Sequence, residues 1–235
     1  MNVVSIMAHQ DDEMFCLGTM LKCRARGDRL SFITLTDGSK GFVQRPDISR
    51  PEAARIRAAE MGALAAMVEA EYISLGEPDE FLHDTDEVRM RLIEAIRRTQ
   101  ADLVFTHFEQ DYNLDHTTTS ALVRHCAMQS PLPVLPTPSP PLAEHPAVFL
   151  IEPHGPIPFA ATHYVDISAM QAEKARLLGR HVSQEEATRK ALGKGLGNLC
   201  EITSRFRGWQ VGCEHAEAFT AMPARGAVKA RAMLP

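Results

Sequence analysis

Two short segments of this 235-residue chain hold the side chains best suited to chemistry. The first is Ala8-His9-Gln10-Asp11-Asp12-Glu13, with one imidazole and three carboxylates in five successive residues. The second is Thr106-His107-Phe108-Glu109-Gln110-Asp111-Tyr112-Asn113-Leu114-Asp115-His116, again rich in His and Asp. Carboxylates crowded in this way repel one another and are costly to desolvate unless a cation binds. Imidazole combined with carboxylate suits Zn²⁺, and three protein ligands leave a position for water. Singly, each residue has a plainer explanation. Asp12 or Asp115 alone reads as a helix N-cap, and His107 alone as a hydrogen-bonded loop residue. His83, His125, His145 and His154 lie in polar or proline-rich surroundings and receive no role.

The segments sit where an α/β fold would present them. Val3 to Ala8 is a short β-rich run of the kind found in strands covered on both faces. A helix is expected from about Glu13 to Arg26, stopped by Gly27. Leu30 to Leu35 is a second strand, ending in the turn-like Thr36 to Gly41. A helix follows over Pro51–Met67, then a strand at Tyr72–Leu75. Asp86 to Gln100 has Val88, Leu92, Ile93 and Ile96 on one helical face. Asp102 to Thr106 is another strand, and a helix runs from about His116 to Met128. Such alternation predicts a Rossmann-like α/β fold: a mostly parallel sheet with helices on both faces, in a single domain over residues 1–235. Ligands in these folds bind beyond the carboxyl ends of the strands, which singles out the loops after Ala8, Thr36 and Thr106.

A proline-dense excursion at about 131–158 reads as a lid over the site, a contact for a homo-oligomer, or a plain loop. Strands are expected at Val148–Ile151 and Tyr164–Ile167. Ser168 is expected to cap a helix reaching about Gly179, and one further helix is expected from about Gln184 towards Arg207.

Composition narrows the class. Lys plus Arg total 25 against 30 for Asp plus Glu, a formal net charge of −5, which argues against a general nucleic-acid binder. The five cysteines are odd in number and form no CxxC pair, as expected of reduced thiols. The N-terminus lacks a basic leader, and no window approaches the ~20 apolar residues of a membrane span. A soluble cytoplasmic protein, with no nucleic-acid or membrane partner, is the expectation.

The segment His9-Gln10-Asp11-Asp12-Glu13, preceded by Ala8, resembles the AHPDDE signature of PIG-L/LmbE-type metal-dependent N-deacetylases. Asn113-Leu114-Asp115-His116 is similar to that family's HPDH motif. The likeness extends to Thr36-Asp37-Gly38 with Gly41, to Arg50 and Glu52 ahead of Met61-Gly62, to His181-Val182-Ser183-Gln184 and to Ala216-Glu217-Ala218-Phe219. The resemblance implies His9, Asp12 and His116 as ligands of zinc or another divalent transition metal. It implies Asp11 as the general base and Asp115 as the orienter of an imidazole.

Two positions depart from the pattern. Gln10 replaces the usual Pro, which is expected to loosen the turn. Asn113 replaces the first His of HPDH, a residue that stabilises the oxyanion. Either Asn113 donates a hydrogen bond there, or His107, His181 or His215 supplies the imidazole. Arg50, with His107 and His181, forms the expected substrate side. The implied reaction is hydrolysis of an N-acyl group, most simply N-acetyl, from a small-molecule amino sugar or its conjugate. The alternatives are amide hydrolysis of a non-sugar conjugate and a non-catalytic Rossmann-like binding module. That last reading needs a Gly-rich phosphate turn after the first strand, where this chain instead has the acidic His9-Gln10-Asp11-Asp12.

Overall fold

Val3 and Val4 lie on opposite faces of the first strand, β1 (Asn2–Met7), and each joins a different apolar core. Successive side chains of a strand alternate between faces, so a strand buried on both sides needs apolar residues in unbroken runs. The same split recurs along β2 (Arg29–Thr36), where Leu30 and Phe32 join one core and Ile33 and Leu35 the other. It recurs in β4 (Leu103–Thr106) and β5 (Ala147–Ile151). The chain is described here by a computed structural model that covers residues 1–223 and 233–235.

The remaining strands are β3 (Glu71–Glu77), β6 (His163–Asp166) and β7 (Ala216–Ala221). Among the described residues one seven-stranded sheet results, in the order β3-β2-β1-β4-β5-β7-β6. β1 to β5 are mutually parallel, and β7 runs antiparallel to both its neighbours. Helices α1 (Leu17–Ala25), α2 (Arg50–Met67), α5 (Gln171–Leu178) and α7 (Leu196–Val211) cover the core containing Val3. Helices α3 (Asp86–Arg98) and α4 (Leu114–Gln129) cover the core containing Val4. From β1 the chain builds outward to β2 and β3, then returns to place β4 on the other side of β1. The crevice between the carboxyl ends of β1 and β4 is therefore the topological switch point where open α/β sheets bind ligands.

The expected mostly parallel sheet is present, and three local expectations change. The first helix is divided into a 3₁₀ turn over Asp12–Phe15 and then α1. The long C-terminal helix is two: α6 (Val182–Leu192) and α7, parted at Gly193, whose φ of 71° lies in the left-handed region that glycine adopts freely. Ser168 does not cap α5; its backbone N–H and Oγ both donate to Asp166 Oδ1, in a turn that precedes the helix by two residues. Ala216-Glu217-Ala218-Phe219 is strand β7, inserted between β5 and β6.

The proline-rich excursion also divides. Its first part packs at the end of the sheet opposite the switch point, where the buried Arg97 of α3 donates to the carbonyls of Ser130, Leu132 and Leu135. Its last part, after β5, lies at the carboxyl end. The five cysteines are unpaired, and among the described residues no helix is long and apolar enough to cross a membrane.

Glu217 ties the antiparallel end of the sheet to two helices. Its carboxylate accepts the N–H groups of Gly18 and Thr19 in the first turn of α1, and the ammonium of Lys174 lies 2.8 Å away. Both side chains are almost wholly buried. Burial, the largest single influence, would lower the Lys174 pKa, but the charge and hydrogen bond of Glu217 together with the nearby Cys200 and Cys16 leave it raised. Removing one member of a buried pair leaves the other charge uncompensated. Glu217→Ala is therefore expected to cost about 3–5 kcal/mol, read as a lower denaturant midpoint. An unchanged midpoint would show that the pair carries no stability.

Candidate active site

The first acidic segment is built into a tight loop at the end of β1. The His9 N–H donates to Asp12 Oδ2 at 2.8 Å, and the Asp11 N–H donates to Glu13 Oε2 at 3.0 Å. Asp11 has a φ of 116°, a conformation non-glycine residues rarely adopt and one that costs on the order of 1–3 kcal/mol. Its surroundings hold it there. The buried Arg57 of α2 donates to the Gln10 carbonyl and reaches Asp11 Oδ1 at 3.3 Å. The Gln10 side chain accepts from Arg57 Nε, donates to Tyr72 and to the Thr36 carbonyl, and is 1% exposed. Gln10 is thus anchored, and the expected loosening of the turn does not occur. A Cβ on Gly38 would stand 2.2 Å from Gln10 Oε1, so that loop approaches only because the residue is glycine.

The second segment opens α4. Asn113 is the N-cap, its Oδ1 accepting the Asp115 N–H at 2.8 Å and the His116 N–H at 3.4 Å. His116 in the first turn then faces the β1 loop. His9 Nδ1 lies 3.2 Å from His116 Nε2 and 3.2 Å from Asp12 Oδ2, and His116 Nε2 lies 3.4 Å from Asp12 Oδ1. Donors placed tetrahedrally at zinc's usual bond lengths of ~2.0–2.1 Å sit about 3.3–3.4 Å apart. The three groups therefore fit one zinc-sized cation.

The electrostatics point the same way. Burial alone would lower both histidine pKa values, yet Asp115, Asp12 and Asp79 raise that of His9 well above its usual value. Asp12 and Asp111 raise that of His116 to about 9. Asp12 is held well below the usual carboxylate range, because His116 and His107 outweigh its burial. Two imidazolium nitrogens 3.2 Å apart would repel, whereas one divalent ion satisfies both lone pairs and the carboxylate. The outer nitrogens are also held. His9 Nε2 lies 3.0 Å from Asp79 Oδ1 and 3.4 Å from Asp115 Oδ2, and His116 Nδ1 lies 3.1 Å from Asp111 Oδ2. Outer carboxylates of this kind fix which imidazole nitrogen is left to bind metal. Asp115 also accepts the N–H groups of Glu80 and Leu82, locking the loop after β3 against α4. For Asp11, burial with the neighbouring Asp12 and Glu13 charges raises the pKa to about 6, against the pull of Arg57 and His181.

The residues expected on the substrate side lie elsewhere. His107 is 2% exposed, its Nε2 accepts the Ala8 N–H, and its ring stacks on His116 at 4.1 Å. Burial and the nearby His116 lower its pKa to about 4, so it is a neutral packing partner beneath the site. His181 is fully buried, 2.7 Å from Glu13 Oε1, and braces the loop from behind. Arg50 is exposed and donates to Asp37 Oδ2 outside the cleft. His215 is buried beside β7, away from the cleft lining.

Besides Asp111 and Arg57, two more side chains to which the sequence pattern gives no role stand at the site. Asp79, just beyond β3, is the carboxylate nearest His9 Nε2. His154, three residues beyond β5, lines the cleft with His9, Asp12 and His116. Both obey the rule of carboxyl-end loops, which holds for β3 and β5 as well as for the three strand ends singled out from the sequence. One wall of the cleft is apolar, formed by Val43 with Ala187, Ala191 and Leu192 along α6.

Several solved structures share this fold. An N,N′-diacetylchitobiose deacetylase from Pyrococcus horikoshii superposes with a TM-score of 0.80 at 24% identity, covering 94% of this chain and 83% of that one. A conserved protein from Thermus thermophilus gives 0.79 at 26%, covering 98% and 99%. GalB, the 4-carboxy-2-hydroxymuconate hydratase from Pseudomonas putida, gives 0.82 at 19%, covering 99% and 100%. No curated protein sequence matches. Residues 4–127, just over half the chain and including both acidic segments, match the family described as PIG-L: GlcNAc-PI de-N-acetylase. The chain belongs to that family.

Proposed function

We propose that this protein is a metal-dependent hydrolase that removes an N-acyl group, most simply acetyl, from an amino sugar or its conjugate. One observation carries the reading: His9, Asp12 and His116 converge within a tetrahedron's edge of one another, with the Asp11 carboxylate in the same cleft. Family membership and the deacetylase named among the structural neighbours support it.

His9 Nδ1, Asp12 and His116 Nε2 would hold the ion. Zn²⁺ bound there supplies Lewis acidity, which lowers the pKa of coordinated water to about 7 and polarises an acyl carbonyl. Asp11 is not among the three converging groups, so its carboxylate is free to take the proton of the attacking water and pass it to the departing amine nitrogen. Arg57 and the Glu13 carboxylate keep Asp11 in place during that transfer. Asp79 and Asp115 hold His9 in the tautomer that leaves Nδ1 unprotonated. The apolar wall of Val43, Ala187, Ala191 and Leu192 favours a second reading of the substrate, in which the group carrying the amide is an apolar conjugate and not a plain sugar.

The two substrate readings separate in a panel of N-acetylglucosamine methyl glycoside, N,N′-diacetylchitobiose and acetanilide, scored by acetate release. Preference for acetanilide selects the apolar conjugate, and turnover of none overturns the function. Chelation is expected to abolish turnover and added Zn²⁺ to restore it. His116→Ala is expected to purify with much less zinc by elemental analysis, and a full complement would remove it as a ligand. Asp11→Asn keeps the backbone conformation, because Asn tolerates positive φ. It is expected to retain zinc and to lose at least ~10²-fold in kcat, the low end for removal of a general base. A kcat equal to the wild type would exclude Asp11 from proton transfer.

A further inference from the structure

The tetrahedral intermediate of amide hydrolysis places negative charge on the former carbonyl oxygen, and a donor must meet it. Resting on the function proposed above, that donor has to be found in a chain that has Asn113 where the HPDH motif has His. Asn113 lines the cleft with its Oδ1 committed as the cap of α4, so its Nδ2 can offer only a neutral amide N–H and the imidazole of the usual motif has to come from elsewhere. His107 lies beneath His116 with its Nε2 already accepting a backbone N–H, His181 is sealed against Glu13, and His215 is outside the cleft.

We propose that His154 is a catalytic residue of this site, donating an imidazole N–H to the developing oxyanion. Its Nε2 lies 3.9 Å from Asp12 Oδ1, too far for a hydrogen bond and close enough to border any ion held by Asp12. Its ring centroid is 5.8 Å from that of His116. The side chain is 29% exposed, the degree of access a substrate-contacting group needs. The ring is held in place, because Phe15 packs against it edge-on at 4.8 Å and 79°. The backbone is stiff as well. Pro153 precedes the residue and Pro156 follows Gly155, whose φ is 78°, so a fixed turn projects the imidazole from the end of β5. The tail of the proline-rich excursion thereby has a function: it carries the imidazole that the second motif lacks. Among the described residues no aligned hydrogen bond occupies either ring nitrogen, so an N–H is available to the substrate oxygen.

The test uses the zinc-loaded full chain, the amide of the panel that it hydrolyses fastest, and the matching methylphosphonamide as a tetrahedral mimic. His154→Ala is expected to lower kcat by about 10²–10³-fold, as removal of an oxyanion donor does, with KM within about threefold. The inhibition constant of the phosphonamide should rise in step with the loss in kcat/KM, since the donor serves the tetrahedral species more than the planar amide. Zinc content and thermal midpoint should match the wild type. His154→Gln retains an N–H donor and is expected to recover at least about tenfold over His154→Ala. A kcat for His154→Ala near the wild-type value overturns the assignment. So does a loss matched by loss of zinc or of fold, or a glutamine variant no better than alanine. If the wild-type chain hydrolyses no amide, the proposed function fails and this inference fails with it. Active wild type with fully active His154→Ala overturns this inference alone.

Discussion

Negative charge gathered at one point of the sheet is the constraint on which the site depends. Asp12, Asp79, Asp111 and Asp115 come within 3.4 Å of two imidazoles at the carboxyl ends of β1, β3 and β4, and Asp11 lines the same cleft. Most of these groups are buried, where an uncompensated carboxylate costs several kcal/mol. Without an ion, the balance must come from protons on His9 and His116, and the raised pKa of each registers that demand. Those protons would face one another at 3.2 Å. A divalent cation relieves the carboxylate repulsion and the imidazole conflict together. The charge is placed by topology, because the switch point makes β1 and β4 neighbours although about a hundred residues separate them.

Holding such a cluster requires support from behind. The AHPDDE signature that this loop resembles has a proline ahead of the first aspartate. Here Gln10 stands in that position, and a network of side chains does the work of the ring. Arg57 reaches across from α2 to the Gln10 carbonyl, the Gln10 amide and the Asp11 carboxylate. The bare Cα of Gly38 leaves room for Gln10 Oε1 and Arg57 Nε to meet. Below the loop, Glu13 bridges the Asp11 backbone to His181. Elements from three distant stretches of chain thus over-determine the strained φ of Asp11, which is what lets a conformation that costs energy locally persist.

The sequence disclosed what depends on local pattern. Unbroken apolar runs marked strands buried on both faces, and the alternation of strand and helix pointed to the Rossmann-like sheet. The same rule placed His9, Asp12, Asp115 and His116 in carboxyl-end loops. What it could not disclose was long-range. The burial of His107 and His181 depends on which helices close over the β1 loop, and neither spacing nor residue type carries that. The anchoring of Gln10 depends on Arg57, forty-seven positions away. The insertion of β7 between β5 and β6 is a tertiary choice, fixed in part by Glu217 reaching α1 and Lys174. Other features do carry a local signal. Gly193-Lys194-Gly195 is an evident helix break. Asp79 and His154 follow strands β3 and β5 as directly as His9 follows β1.

Architecture alone does not select the reaction. A hydratase shares this fold over essentially the whole chain, at a TM-score slightly above that of the deacetylase. Selection has to lie in the side chains the scaffold presents, and here they divide by task. His9, Asp12 and His116 suit an ion, with Asp79, Asp111 and Asp115 setting their tautomers. Asp11, strained and clamped, suits proton transfer. His154 enters from a separate strand end, on a turn stiffened by Pro153 and Pro156. Because it lies outside both acidic segments, it can vary without disturbing the ion. On the proposed assignment the ion-binding groups sit in the loop after β1 and on α4 and the oxyanion donor on the loop after β5, so that one could change while the other is kept. Position 113 has a task of its own in this division, the N-cap of α4, for which asparagine is among the best residues.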